Sequence, residues 1–592
     1  MATATPPAAP KPADETKAKK PPAPPRDHTR EAVETIVFVV VLVLLLKLFV
    51  TEAFVIPTGS MAETLYGIQK VVTCKQCGFE FPVNAHDEVE GQQGSGRKLN
   101  LVGYCCPNCR FHGNIADATP RPVAANGDRV LVLKPIYHFN AAGRPARGDV
   151  VVFRFPRAPQ ERWVAANYIK RCMAFGGETV GIHRGDLYTT TALDYPPDAR
   201  DSTGHPLYPR PDDPNDLWRG GESSVAVGMP DFRYPNNDQA TELFEKSRRA
   251  GFPAGFSGFE IVRPTAEQLL ARVRTVWDND RQPKDLAGKV PPRWAAEAAG
   301  KWTGDNPHQP VAFTHTADSL DFVRYRHLVW KLDENKRPTQ YWAWTDLPVQ
   351  PVAGPVDNYL GYNDGVDLPP GAAPADATPR RGRFGFHSDT TWVGDLMIEC
   401  EAAFGDGSEV VLELSRGQNR FQAKFAGGEV ELLSTGPGGK SFGKRPTRIT
   451  GAGAHKLRFA NVDARLWVWV GGRRIDFGTD ADYLPATTVP LGRESDEGWT
   501  DENDVAAPAS VGARGSVTVR SIKLSRDIYY TRNGGDHAKA DLYYVQPGHY
   551  FCMGDNSAHS SDSRSWGSVP DRLMLGKAVF VFWPHTRFGF IK

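Results

Sequence analysis

Two residues of this chain could make a hydrolytic pair, although they lie far apart in sequence. Ser60 sits in Pro57-Thr58-Gly59-Ser60-Met61, on a short bend just after an apolar run. Lys170 sits in Tyr168-Ile169-Lys170-Arg171, inside a strand-like run. A serine hydroxyl is a weak nucleophile until a neighbouring base takes its proton. A lysine can be that base only when neutral, and desolvation is what lowers its pKa. The blander readings are a polar linker at Ser60 and a lysine that points outward and stays solvated. A third stretch, FCMGDNSAHSSDSRSWGSVP at 551–570, is dense in Asp, Ser and Arg and suits a hydrogen-bonded turn.

The cysteines suggest a second chemistry. Cys74-Lys75-Gln76-Cys77 and Cys106-Pro107-Asn108-Cys109 are two Cys-x-x-Cys knuckles. Four thiolates so spaced fit a zinc ribbon, in which the metal supplies the folding energy that a small core cannot. Two disulfides are the alternative, and Cys105 is a spare thiol that could replace Cys106. A structural zinc is expected and no catalytic cofactor. Cys172, Cys400 and Cys552 read as small buried residues.

The elements that must position these groups begin with Ile36–Ile56, an apolar run interrupted only by Lys47, Thr51 and Glu52. A membrane-spanning helix needs about 20 such residues. The leader before it is rich in Ala, Pro and Lys and should be disordered. It carries Lys11, Lys17, Lys19, Lys20, Arg26 and Arg30, so the positive-inside rule keeps the N-terminus cytoplasmic and Ser60 outside. The whole chain of 592 residues holds 70 Lys+Arg against 69 Asp+Glu, a balance that gives no reason to expect nucleic acid as a partner. With 57 Gly and 48 Pro it is turn-rich, which favours β architecture. Strand signals appear at 127–137, 147–156 and 167–182, and a helical stretch at 264–277. Short strands between Gly-rich turns fill 385–530 and suggest a β-sandwich. Trp467 and Trp469 share one strand face and read as core in preference to a sugar platform.

In chain order, Gly59-Ser60-Met61, Gly127-Asp128-Arg129, Arg147-Gly148-Asp149, Tyr168-Ile169-Lys170-Arg171 and GDNSAHSSDSR at 554–564 resemble the boxes of bacterial type I signal peptidases. The one departure in the first box is Glu63, where that family usually has proline. The resemblance implies a membrane-anchored serine endopeptidase of the cell (inner) membrane. It would be single-pass, with an extracytoplasmic catalytic domain that cleaves signal peptides from secretory preproteins after small residues of Ala-x-Ala type. It implies Ser60 as nucleophile, Lys170 as general base, Ser560 as the serine that orients the lysine, and Thr58 as an oxyanion-hole hydroxyl beside the Ser60 N–H. Asp562 with Arg564 would be a structural pair, and Asp555 and Asn556 would shape the turn. Phe54, Ile56 and Ile169 would line the substrate pocket, with core packing as the alternative. The lipid bilayer is a partner in this reading, and contact of the inserts with the secretion machinery is left open.

The expected fold is mainly β. A leader (1–30) and an anchor (31–56) precede a catalytic core of 57–70, 120–190 and 546–592. Inserted in that core are a zinc ribbon (71–119), an irregular Pro/Trp-rich segment (191–380) and a sandwich (381–531) that resembles laminin-G or concanavalin-like folds. The size of the insertion is similar to the enlarged signal peptidases of planctomycete-type bacteria. A core that closes around an insertion with neighbouring ends should survive its removal.

Overall fold

The computed structural model describes residues 28–592 apart from 93–95, 138–142, 156–165, 194–236, 254–256, 285–287, 289, 333–348, 371–390, 437, 450, 485–497 and 532–541. Most of the leader, and the expectation that it is disordered, lie outside the described residues. Thr29–Val50 forms one apolar helical run, long enough to cross a membrane and with none of its residues buried by protein. Its last turn, Leu46–Val50, widens to a π-helix before the chain becomes extended at Thr51. The rest of the chain, from Glu52 on, is a separate compact unit.

One eight-stranded sheet is built from distant segments. Its hydrogen-bonded order is Thr51–Val55, Arg129–Leu133, Met574–Trp583, Val150–Phe155, Ala166–Phe175, His549–Met553 and Val569–Pro570, and Gly589–Phe590 also pairs with Met574–Trp583. All the described pairings are antiparallel. Alternation along these strands puts Val130, Val132, Val150 and Val152 into one apolar cluster with Ile56, Met61 and Leu65. A smaller sheet holds Thr179–His183 and Asp186–Thr190 between Glu260–Ile261 and Tyr543–Tyr544.

The insertion forms two larger antiparallel sheets, of eight and seven strands. Their inner faces supply Leu412, Phe421, Phe425, Leu432, Phe459, Val468 and Leu524 to one core. Strands from 274–325 belong to these sheets: Arg274–Asp278 and Ala312–His315 pair with Val517–Arg526, and Asp321–Tyr325 pairs with Ala509–Arg514. The boundary expected near 380 therefore does not separate an irregular segment from the sheets. Val276, Trp277, Phe313, Val323 and Tyr325 of these earlier strands belong to the same core.

The helical stretch expected at 264–277 also divides. Thr265 and Gln268 close a capping box on the helix Ala266–Arg272, and the β-branched and aromatic run Thr275-Val276-Trp277 continues as strand. Trp467 and Trp469 are buried and stacked at 6.2 Å, packed with Leu269 of that helix. They are core, in keeping with the reading from the sequence.

Candidate active site

Ser60 is placed by what surrounds it more than by its own contacts. The edge strand Thr51–Val55 ends, Ile56 N donates to Asp128 O at 2.9 Å, and Pro57 turns the chain. Met61, Ala62 and Leu65 are fully buried, and Ala62 N donates to Gly59 O at 3.0 Å. The apolar side chains thus pin the turn while Ser60 itself stays half-buried.

Lys170 reaches it from the strand Ala166–Phe175. Its Nζ lies 2.7 Å from Ser60 Oγ and donates to Ile169 O at 3.0 Å. The side chain points inward, with Lys170 only 4% exposed. Burial is the largest influence on it and lowers its pKa from 10.5 to about 8, against the opposing pull of Asp562, Cys552 and Asp555. When the amine is charged it donates to Oγ; when neutral it can accept the Ser60 proton along the same 2.7 Å line. The Tyr168 ring lies 5.5 Å from Nζ and adds a weak cation–π contact to the charged form.

The turn at 554–564 holds this pair in register. Asp562 and Arg564 form a fully buried bidentate pair, at 2.9 and 2.7 Å. Arg564 also donates to Thr531 O and Ser557 Oγ, and Asp562 accepts from Gly554 N at 2.9 Å. The residues expected only to shape the turn do more. Asp555 takes both forks of Arg171, the residue after the lysine, at 2.8 and 2.5 Å, and accepts from Thr64 Oγ1 at 2.6 Å. Burial pushes the Asp555 carboxyl up, but the Arg171 guanidinium wins and holds it at about 2. Asn556 donates through its backbone N to Ser60 O at 3.1 Å and through Nδ2 to Gly59 O at 2.9 Å.

Ser560 lies in the same turn. Its Oγ is buried, yet among the described residues it has no hydrogen-bond partner. The lysine bonds Ser60 Oγ and Ile169 O. Ser560 is still nearby: a Cβ on Gly554 would come within 2.1 Å of Ser560 Oγ and 2.5 Å of Ser60 O. Only glycine lets that close packing exist. Thr58 is exposed beside Ser60. Phe54 and Ile169 are half-buried against the cluster that contains Ile56, which is itself buried as core.

Three contributors to the site carried no signal in the sequence, and all lie in the long insertion. Asn363 exchanges two hydrogen bonds with Asn556, each 2.7 Å. Tyr362 packs over Gly59, where a Cβ would come within 2.1 Å of its ring. Arg274 donates to Ala62 O at 3.2 Å, and its Nη1 lies 3.9 Å from Glu63 Oε2. The departure at Glu63 thus places a carboxylate near an arginine of the insertion. From the C-terminal side, Arg587 donates to Thr64 O at 2.7 Å.

The four knuckle cysteines converge. The Sγ atoms of Cys74, Cys77, Cys106 and Cys109 all lie within 4.8 Å of one another, and all four residues are buried free thiols. This group could hold a metal ion. Gly78 and Arg110 follow the two knuckles at equivalent places, both with positive φ, of 68° and 61°. Arg110 tolerates that backbone while paired with Asp357 at 2.8 Å and stacked 3.7 Å over Tyr359. Cys105 turns away, its Sγ 3.7 Å from Arg110 O, so Cys106 is the member of the cluster. A second acidic group, Asp186, Asp395 and Asp463, is bridged by Arg416, which bonds Asp186 at 3.0 Å and also Asp395. A guanidinium already supplies positive charge there.

Fold and site together define a β protein that carries a serine hydroxyl against a buried lysine amine. Residues 112–212 and 504–583 match the family described as signal peptidase, peptidase S26. Lys170 and the turn at 555–564 fall within those ranges, and Ser60 precedes them. Signal peptidase I of Haemophilus influenzae is 48% identical over 142 residues, which is 23% of this chain and 37% of that protein. Signal peptidase I of Pseudomonas aeruginosa is 36% identical over 91 residues, 13% of this chain and 32% of that one. Mitochondrial inner membrane protease subunit 1 of Homo sapiens is 34% identical over 88 residues, 15% of this chain and 52% of that one. The chain thus spans about half or less of these relatives. A carbohydrate binding module, CBM66 from Bacillus subtilis, overlaps 39% of this chain and 94% of its own, with a TM-score of 0.21 and 9% identity.

Proposed function

We propose that this chain is a membrane-anchored serine endopeptidase that removes signal peptides from exported preproteins. The observation that carries the reading is the 2.7 Å approach of Ser60 Oγ to a lysine whose burial has lowered its pKa to about 8. Ser60 Oγ would attack the scissile carbonyl as neutral Lys170 accepts its proton. The Ser60 N–H and the Thr58 hydroxyl would stabilise the oxyanion. Lys170 would then return the proton to the leaving amine, and water activated by the same nitrogen would release the acyl group from Ser60. Ser560, whose buried Oγ lies in the same turn beside Gly554, would orient Nζ by turning its hydroxyl toward it. Phe54 and Ile169, half-buried near the dyad, would wall a shallow pocket for small side chains, with Ile56 behind them. The helix Thr29–Val50 would anchor the chain with its basic leader cytoplasmic and the catalytic unit outside.

Ser60→Ala tests the reading directly. It should lower cleavage of a preprotein by roughly 10,000-fold or more. The melting temperature should stay within a degree or two, since one half-buried hydroxyl contributes little. Near wild-type cleavage by this variant would refute the nucleophile.

The metal of the cysteine cluster would be zinc in a structural role. Tetrahedral Zn–S bonds of about 2.3 Å set sulfurs about 3.8 Å apart. The Cys74–Cys109 and Cys77–Cys106 sulfurs are 3.6 Å apart, far beyond a disulfide bond of about 2.05 Å. Elemental analysis of purified, untagged protein should find about one zinc per chain. Cys77→Ser combined with Cys109→Ser should lose it and open 70–115 to proteolysis. Two disulfides by mass spectrometry, with no metal, would reverse the assignment.

A further inference from the structure

We propose that Asn363, in the long insertion, is a positioning residue for the nucleophile's peptide bond; this rests on Ser60 being the nucleophile. The argument runs through one amide. Asn556 has two Nδ2 hydrogens and one Oδ1. The reciprocal pair with Asn363 uses one hydrogen and the oxygen, both at 2.7 Å. The second hydrogen is thereby directed at Gly59 O, 2.9 Å away. Asn363 thus fixes which way the Asn556 amide faces and how firmly it is held.

Gly59 C=O and Ser60 N–H belong to the same planar peptide and point in opposite directions. A hydrogen bond that holds the carbonyl on one side fixes the N–H on the other. That N–H is the backbone donor proposed for the oxyanion. Tyr362, the residue before Asn363, is buried against Gly59 and leaves the peptide no room to tilt that way. Tyr66 backs the Tyr362 ring at 5.3 Å. The turn Gly361–Asn363 is itself secured by the cysteine knuckle region, since Tyr359 Oη donates to Cys105 O at 3.1 Å. The insertion therefore closes the back of the nucleophile turn, and cleavage depends on its being docked.

A donor aimed at the oxyanion acts on the transition state more than on bound substrate. Its loss of aim should appear in kcat and spare KM. The experiment is steady-state cleavage of a soluble signal-peptide substrate by the full-length chain in detergent, with melting temperatures alongside. Asn363→Ala should lower kcat about tenfold to thirtyfold with KM within twofold, and Asn556→Ala by about a hundredfold. The double variant should match Asn556→Ala alone, because Asn363 acts only through that amide. Asn363→Asp, which keeps the shape but sets a carboxylate oxygen against Asn556 Oδ1, should lose at least as much as Asn363→Ala. It also provides the test if the alanine variant does not fold. An unchanged kcat in Asn363→Asp, or additive losses in the double variant, would overturn the proposal. Ser60→Ala runs in parallel: if it stays active the nucleophile reading fails and this inference with it. If it is dead while Asn363 variants are normal, only the inference fails.

Discussion

Lys170→Ala should lower kcat/KM for a signal-peptide substrate roughly 10,000-fold, as removal of one member of a nucleophile–base unit does. Lys170→Arg should not rescue it, because a guanidinium stays protonated at any working pH. In the wild type, kcat/KM should rise about tenfold per pH unit below about 8 and level off above it, since only the neutral amine accepts the Ser60 proton. The sign of the stability effect runs against function. The folded protein holds Lys170 at about 8 while an unfolded lysine titrates near 10.5. Charging it therefore destabilises the fold, and the penalty grows as pH falls from 10.5 to about 8, to a full value of about 3 kcal/mol. Lys170→Met, apolar and of similar length, should thus be inactive yet melt higher than wild type at pH 7. A flat pH profile with chemistry rate-limiting would exclude the lysine base. A lower melting temperature in Lys170→Met would show that the amine's bonds to Ser60 and Ile169 outweigh its desolvation.

Ser60, Lys170 and the turn at 554–564 were legible in the sequence because each is a local pattern whose residue types suit one chemistry. The cysteine knuckles were legible for the same reason, and the structure brings all four sulfurs together. Asn363 was not legible. It lies in Tyr359-Leu360-Gly361-Tyr362-Asn363-Asp364, a loop with neither period nor motif, and its meaning comes from an encounter with Asn556 that only the tertiary fold creates. Arg274 is similar: it opens a strand of the large sheets, and its link to Ala62 is visible only once that strand has docked. Ser560 shows the opposite limit. Its motif marked the residue, but its position in the turn leaves the hydroxyl buried without the expected bond to Nζ. The strands between 274 and 325 were missed because they are short and broken by Pro and Gly, and they gain order from the long partners Ala509–Arg514 and Val517–Arg526.

Excising residues 190–545 and joining the ends with a short Gly-Ser linker should abolish cleavage, contrary to what the order of motifs along the chain suggests. The cut removes Asn363, Tyr362 and Arg274 from the nucleophile turn. It removes Thr531 O, an acceptor of the buried Arg564, and Tyr530, which packs with Met173, Phe551 and Met553. It also takes Arg416 away from Asp186, and strips the strand Glu260–Ile261 from the edge of Asp186–Thr190. Exposing or deleting a buried aromatic contact typically costs about 3–5 kcal/mol. Several such losses together exceed the roughly 5–15 kcal/mol that holds a domain folded. The excised chain should show no cooperative melt near the wild-type temperature, and its kcat/KM on a short peptide should fall at least a thousandfold. Moving the cut points to keep 186–190 and 543–553 should not recover activity, because the supports at 274, 362–363 and 530–531 are still missing. A trimmed core that melts cooperatively and cleaves within about tenfold of the full chain would show that the insertion is a passenger and that the nucleophile turn holds its shape unaided.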